Sequence, residues 1–595
     1  MPASDPQHIY IREGSYIKED SASRRKFMAA FATLGLGGTL LPGVTWVKMA
    51  EAGEQRITAA TIKSAAIIAG LNFDDAEYEA MVVAVNQNLD RIDTLHDTHI
   101  PNDIAPPFYF NPVVQGMHVN RERAPVRFSS LINIKRPADL EQVAFWPVTH
   151  LAYLLRTQQV TSQELTEMYL SRLHRYNDKL NCVVTFLDEL ALSQARAADK
   201  EIESGKYKGV LHGIPWGCKD IISIKGYKTT WGSGAYKDQV FDEDATVVQL
   251  LSNAGAVVLA KLTTGELAGG DQWFGGRTNN PWNLNEGASG SSAGPASATS
   301  AGCVAFAIGT ETGGSILSPS ARCGATGLRP TFGRVSRHGV MALSWTQDRL
   351  GPICRHVEDC AAVMSVIAQP DGMDLSVSEI PFNWDARRDV HSLRVGYLQD
   401  AFADTDRMPE WIANDQRTLN ELRDMGVKLI PISVPEFPID VLSLSVEAAV
   451  FFDELLRSGR DKLLTQKSKA DRFRVSRMIP AVEYLQSQRM RTIMMQKLAA
   501  ATANVDVYLA PSTNGNPRAP EGSAATTQPQ NKTQQHSQMA NLACYPGLAL
   551  PNGFTKAGTP TSINFMSRPF GEAELMTLAK LYQDRTAYHT RHPAL

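Results

Sequence analysis

Between residues 57 and 98 apolar side chains recur three and four positions apart (ITAATIKSAAIIAGLNFDDAEYEAMVVAVNQNLDRIDTLH), the spacing of a helix with one apolar face. The run predicts two helices broken near Gly70. Several prolines across 100–126 predict an extended connector. From about Phe145 helical and strand-like stretches alternate. Asp242–Asn253 (DEDATVVQLLSN) begins with acids, carries an apolar stripe and stops at Gly255, which predicts a helix. Val257–Ala260 (VVLA) and Cys303–Ile308 (CVAFAI) predict buried strands. Between them Ala293–Gly302 (AGPASATSAG) is almost entirely small residues, a helix that could lie very close to a neighbour. Residues 441–503 read as mostly helical, and the polar, Gln/Pro-rich 515–537 as a loop. The alternation predicts an α/β fold, a mixed central sheet covered by helices, with an N-terminal helical extension and connector over 53–126.

Composition narrows the function. The chain has 595 residues, 43% hydrophobic and 20% charged, which is ordinary for a core-forming protein. A net charge of −3 gives no global pull toward nucleic acid, and no nucleic-acid partner is expected. The seven cysteines form no CxxC pair and no Cys/His zinc spacing, so they read as small buried hydrophobes. No P-loop or GxGxxG fingerprint occurs in a strand–helix context. Neither a metal nor a cofactor is expected. The oligomeric state is not legible, and a homodimer is compatible with the sequence.

The front of the chain reads as an address. Arg24-Arg25-Lys26-Phe27-Met28, an apolar Gly-containing run to about Val47, and Ala50-Glu51-Ala52 resemble a twin-arginine export signal over 1–52. Four glycines and a proline make that run a poor spanning helix, so no stable membrane span is expected after cleavage. An exported, periplasmic or extracellular protein is the expectation.

The candidate chemistry sits in three short stretches. GIPWGCKD delivers Lys219 at the end of an apolar run; GASGSSAG (287–294) and GTETGGS (309–315) are Gly/Ser clusters built around serines. Glycine-rich backbone costs entropy. Chains tolerate that cost in linkers, or where backbone amides must meet a reacting atom. Desolvation lowers a lysine's pKa, and a neutral amine can accept a proton. These motifs, with GTETGGSILSPSARCGATGLRPTFGRVSRHGV, Asp348-Arg349-Leu350-Gly351-Pro352, APSTNG (510–515) and NLACYPGLALPNGF (541–554), resemble the amidase signature family from about residue 145 to 593. It implies an amidase domain over 127–595, with a signature core at about 210–355 and a variable helical region at about 365–505, the resemblance being weaker across 365–505.

The resemblance implies a Ser–Ser–Lys triad: Ser315 as nucleophile, Ser291 as bridging serine after a cis Gly290–Ser291 bond, and Lys219 as base. It also implies an oxyanion hole of backbone N–H groups from Thr312, Gly313, Gly314 and Ser315, and a small-molecule amide as substrate. A serine hydroxyl is a weak nucleophile until a base takes its proton, and one positioned oxyanion donor is typically worth about 3–4 kcal/mol. The sequence departs from the family at three places. Ala293 replaces a glycine and would be strained at positive φ. Glu311 stands where Asp is usual. Leu317 stands where many members carry an Arg that can hold a substrate's carboxylate, which implies a neutral or apolar acyl group. The substrate pocket is expected to be shaped by 365–505 and 515–537.

Three rivals remain. Gly290-Ser291-Ser292-Ala293-Gly294 also fits the GxSxG elbow of α/β-hydrolase-type esterases, with Ser292 as nucleophile, but NNPWNLNEGAS ahead of it does not read as the strand an elbow requires. The glutaminase component of tRNA-dependent amidotransferases, their A subunit, shares the core motifs, while the export signal argues against that role. A non-catalytic binding protein on this fold would not need all three triad residues.

Overall fold

A computed structural model describes residues 57–97, 108–437, 442–516 and 530–595. The export signal expected over 1–52 lies outside the described residues. By internal contacts the chain divides into two units, one ending at His99 and one running from Ile100 to Leu595.

In the first unit Gly70, at φ +68°, separates helix α1 (Ala59–Ile68) from α2 (Asp75–Asp97), as the apolar spacing predicts. Thr58 caps α1 by accepting from Thr61 N. Ile62, Ala66, Tyr78 and Val82 bury themselves between the two helices.

The second unit is built on a mixed sheet of eleven strands among the described residues. In chain order these are β1 (Val183–Phe186), β2 (Pro215–Lys219), β3 (Val257–Leu262), β4 (Phe306–Glu311), β5 (Thr326–Arg329), β6 (Arg349–Cys354), β7 (Val395–Leu398), β8 (Leu429–Ile432), β9 (Val507–Pro511), β10 (Gly547–Phe554) and β11 (Pro560–Ser567). Across the sheet they lie in the order β1-β3-β2-β4-β6-β5-β10-β11-β9-β7-β8. β2 runs parallel to both β3 and β4, β7 runs parallel to both β8 and β9, and the remaining pairs are antiparallel. The strands β2, β3, β4 and β6 are buried along their whole length, which explains their continuous rather than alternating apolar runs. Helices such as α3 (Ser162–Leu180) cover the sheet; α3 starts at a capping box between Thr161 and Glu164.

The small-residue stretch is a helix, α4 (Ala293–Ser300), with every residue buried. A Cβ on Gly294 would run into the Thr263 backbone, so the close approach read from the sequence is real. The other elements depart from expectation at their ends. The helix ending at Gly255 begins at Thr246, not Asp242, because the Asp244 carboxylate turns away to accept Lys225 N at 2.8 Å. β4 begins at Phe306 because Cys303 N still bonds Ala298 O, closing the turn after α4. Part of the expected 515–537 loop is helical: Asn531 and Gln534 form a capping box that starts helix α8 (Lys532–Leu542), numbered after α5 (Leu317–Cys323), α6 (Ser443–Phe451) and α7 (Ala481–Ala501). All seven cysteines are free and buried.

Candidate active site

The parallel neighbours β2 and β4 end on the same side of the sheet, so Lys219 and the loop after Glu311 emerge side by side. Lys219 is fully buried. Its Nζ lies 2.9 Å from Ser291 Oγ, 3.0 Å from Ser292 Oγ, 2.7 Å from Thr310 Oγ1 and 3.4 Å from Thr310 O. Every one of these partners is an uncharged oxygen. Burial pulls the amine down to about 7, outweighing the more distant Asp348 and Glu311 carboxylates, which favour the charged form. A second buried lysine, Lys261 at the end of β3, makes the contrast plain: its Nζ has Asp220 as a counter-ion at 3.1 Å. Lys219, one residue before that aspartate, is left with hydroxyls.

The first Gly/Ser cluster carries the cis bond implied by the family resemblance, at Gly290–Ser291. A Cβ on Gly290 would overlap the Gly270 carbonyl, so only glycine fits there. Ala293 sits inside α4, and the positive φ of this turn falls instead on Ser289, at +63°. The strain expected at Ala293 is therefore absent. Ser289 is held in place by Asp271 on its N–H and Ser318 on its hydroxyl.

Ser315 lies half-buried between β4 and α5. Its carbonyl accepts from Ser292 N at 3.1 Å, which ties the two clusters together through the backbone. Among the described residues the Ser315 hydroxyl has no hydrogen-bond partner, so the structure closes the Lys219–Ser291 link and leaves the Ser291–Ser315 link open. The loop owes its shape to Glu311. One carboxylate oxygen accepts Ile316 N (2.8 Å) and Leu317 N (2.9 Å), and the other meets Arg329 (2.7 Å). Burial raises the Glu311 pKa, but Arg329, Arg349 and the Leu317 amide overcome that and hold it below its ordinary value. The intervening Thr312-Gly313-Gly314 arch outward. Thr312 is fixed twice: its hydroxyl donates to Asp348 at 2.5 Å, and its carbonyl accepts from Arg349 at 2.8 Å. The N–H groups of Gly313, Gly314 and Ser315 donate to no acceptor among the described residues, and Gly314 holds φ +120°. Such a run of unpaired amides is an anion nest. Space is open around Gly313 and Gly314, so Gly314 is needed for its backbone angle. Replacing Gly314 with Ala is expected to cost about 1–3 kcal/mol in holding that angle and to lower kcat by tenfold or more; Gly313→Ala, measured beside it, should cost less.

Two cavities flank this loop. One, of about 170 Å³, is polar and touches Gly290, Gly313, Gly314, Arg329 and Asn541. The other, of about 260 Å³, opens beside Thr310 and Thr312. Its wall is mostly segment 332–350 and the connector residues Phe108–Phe110; of the 365–505 region expected to shape it, only Met373–Ser376 reach it. Residues 512, 513 and 537, from around the polar 515–537 stretch, line the smaller cavity instead. The elbow rival fails on burial. Asn283–Gly287 is in fact a short strand, correcting the sequence reading, but it pairs only with Asn279–Asn280 outside the main sheet. Ser292 is fully buried, donating to Thr310 O and accepting from Thr310 N, so no substrate reaches it. The sequence reading missed Thr310, Asp348 and Glu447. The first two lie within quoted motifs, but nothing marked them as contacts. Glu447, on α6, accepts from Ser344 and Thr346 and so braces the segment that Asp348 holds through Leu343 N and Ser344 N.

The sequence model of the family described as Amidase matches residues 164–576. The chain belongs to the amidase signature family. The A subunit of the glutamyl-tRNA(Gln) amidotransferase from Roseiflexus sp. (strain RS-1) is 34% identical over 478 residues, covering 73% of this chain and 96% of that one. Its namesake from Methylococcus capsulatus is 33% identical, covering 75% and 98%. Among solved structures, the native peptide amidase from Stenotrophomonas maltophilia superposes with a TM-score of 0.66 at 28% identity, covering 76% of this chain and 99% of its own. The mixed eleven-stranded sheet is thus the amidase-signature fold, and the family is one of amide-hydrolysing enzymes. No described helix is long and apolar enough to cross a membrane.

Proposed function

We propose that the protein hydrolyses a carbon–nitrogen amide bond through a Lys219–Ser291–Ser315 relay and an acyl-Ser315 intermediate. The observation that carries this reading is a buried amine contacted only by uncharged oxygens, one of them Ser291 Oγ at 2.9 Å. As Ser315 Oγ attacks the carbonyl carbon, its proton passes to Ser291 and the proton of Ser291 passes to Lys219. The oxyanion forms against the free amides of 313–315. Collapse expels the amine, which collects a proton from Lys219 through Ser291. Water then attacks the acyl ester, its proton following the same path, and a carboxylic acid leaves. The Ser291–Ser315 contact closes when substrate fills the site, catalytic hydrogen bonds being commonly looser before binding.

A second reading, a glutaminase serving aminoacyl-tRNA within a larger complex, is favoured by the names of the two relatives above. Leu317 and the apolar character of the larger cavity weigh against glutamine as the substrate. Export supports the hydrolase reading too, and rests on the Arg24-Arg25 signal alone. Turnover of the protein against a panel of amides that includes glutamine decides between them. Hydrolysis of simple amides without a partner protein is expected; activity on glutamine alone, with transfer to charged tRNA in a co-purified complex, would establish the second reading.

A further inference from the structure

We propose that the larger cavity binds an uncharged, apolar arm of the amide substrate, and that the Phe108-Tyr109-Phe110 strap is part of that subsite. The proposal rests on the amidase reading and names its substrate class. The cavity begins at the chemistry, with Thr310 touching Lys219 Nζ and Thr312 leading the oxyanion loop. Its walls are apolar, from Ile221, Phe332, Met341, Leu343, Trp345 and Leu350. The arginine and the carboxylates on the wall are already engaged. Arg337 pairs with Asp374 at 2.8 Å and lies over the Phe332 ring at 4.7 Å. Both oxygens of Asp348 accept from protein donors, while His338 keeps Nε2 3.9 Å from Glu243 and its buried Nδ1 without a hydrogen-bond partner among the described residues, a site for one neutral polar group of the substrate. A charged arm would lose its hydration there without gaining a counter-ion.

The rim is unusual in the opposite sense. Phe108 is 75% exposed, Tyr109 56%, Met373 62% and Leu375 66%, four large apolar side chains open to water around one mouth. Exposed apolar groups gathered at a cavity mark a binding surface. The strap is positioned, not loose: Phe110 packs edge-on against Phe332 at 5.4 Å and under the Arg491 guanidinium at 4.0 Å. Arg491 is itself fixed by Leu542 O (2.8 Å) and Thr346 O (3.0 Å). The strap lies before residues 164–576, outside the stretch matched to the family. The smaller cavity, with Arg329 Nη2 and Asn564 Oδ1 unpaired on its wall, suits the polar side of the substrate.

The test compares kcat/KM for acetyl, butanoyl and octanoyl p-nitroanilides, which lengthen the acyl arm, with N-ethyl, N-butyl and N-octyl acetamides, which lengthen the amine arm. One series should gain about fourfold per methylene over the first few carbons. A succinyl anilide should fall at least tenfold below its butanoyl counterpart. In Phe110→Ala, and in the double variant Phe108→Ser/Tyr109→Ser, whose side chains are exposed and outside the core, the octyl-to-ethyl or octanoyl-to-acetyl ratio should drop at least fivefold. Binding of octanamide, N-octylacetamide and acetamide to the Ser315→Ala chain, measured by calorimetry, gives a readout that needs no turnover, and one of the two octyl amides should bind at least tenfold more tightly than acetamide. Turnover with a flat profile in both series, preference for the charged arm, or equal binding of all three amides overturns the proposal. If no amide is hydrolysed but either octyl amide still binds preferentially, the amidase reading falls and the apolar subsite stands.

Discussion

Replacing Ser315 with Ala is expected to lower kcat by roughly 10⁴-fold or more, the scale on which removal of a nucleophile acts in serine hydrolases. No other hydroxyl can take over. Ser292 is sealed by Lys219 and Thr310, and Ser291 is buried against Lys219 with its backbone locked in the turn. The variant should keep its fold, because the Ser315 hydroxyl bonds nothing among the described residues and the loop is held by Glu311. A fluorophosphonate probe should label the parent chain at Ser315 and leave the variant unlabelled, as read by mass spectrometry of the peptide. An unchanged rate in Ser315→Ala would remove the mechanism.

The second large effect concerns the base. Lys219→Met keeps an apolar stem in the same slot and removes the amine, and kcat/KM should fall on the order of 10³-fold. The pH profile carries the sharper test. The working form is the neutral amine, so protonation inactivates. With the amine held near 7, log kcat/KM should rise with unit slope below about pH 7 and level off above it. A lysine exposed to water would place that limb more than three units higher. In Lys219→Met the limb should vanish along with most of the rate. A limb that persists in the variant would assign the titration to another group.

Much of this site was legible from the sequence because its parts are local. A strand that ends in lysine, a glycine with no room for a side chain and a serine behind two glycines each carry their signal within a few residues. Gly290 and Gly314 show why: one faces the Gly270 carbonyl, the other holds φ +120°, and only glycine satisfies either. What the sequence concealed depends on pairing between distant segments. Thr310 looked like an ordinary strand residue although its hydroxyl meets Lys219 Nζ, and Thr312, named only for its N–H, gave no sign that its hydroxyl would bond Asp348 some 36 positions on. The origin of the cavity wall was misjudged for the same reason. Phe108–Phe110 lie more than 200 residues before the Phe332 and Arg491 side chains that fix them, and no period or motif links the three. Helix ends slipped by a few residues where a side chain such as Asp244 or Asn531 chose its partner by geometry that spacing does not encode.

Lys219 and the Ser315 loop leave adjacent strands that run in the same direction. The sheet therefore sets the two strand ends about 4.8 Å apart, and Glu311, buried at the end of β4, fixes the loop that carries Ser315 on from there. The reaction and the choice of what reacts are thus mechanically separate. Insertions, trims or new residues in the strap, and in the cavity wall away from Thr310, Thr312 and Asp348, can retune which molecules enter while the proton path keeps its dimensions, which makes this scaffold a sound starting point for altering selectivity without rebuilding the chemistry.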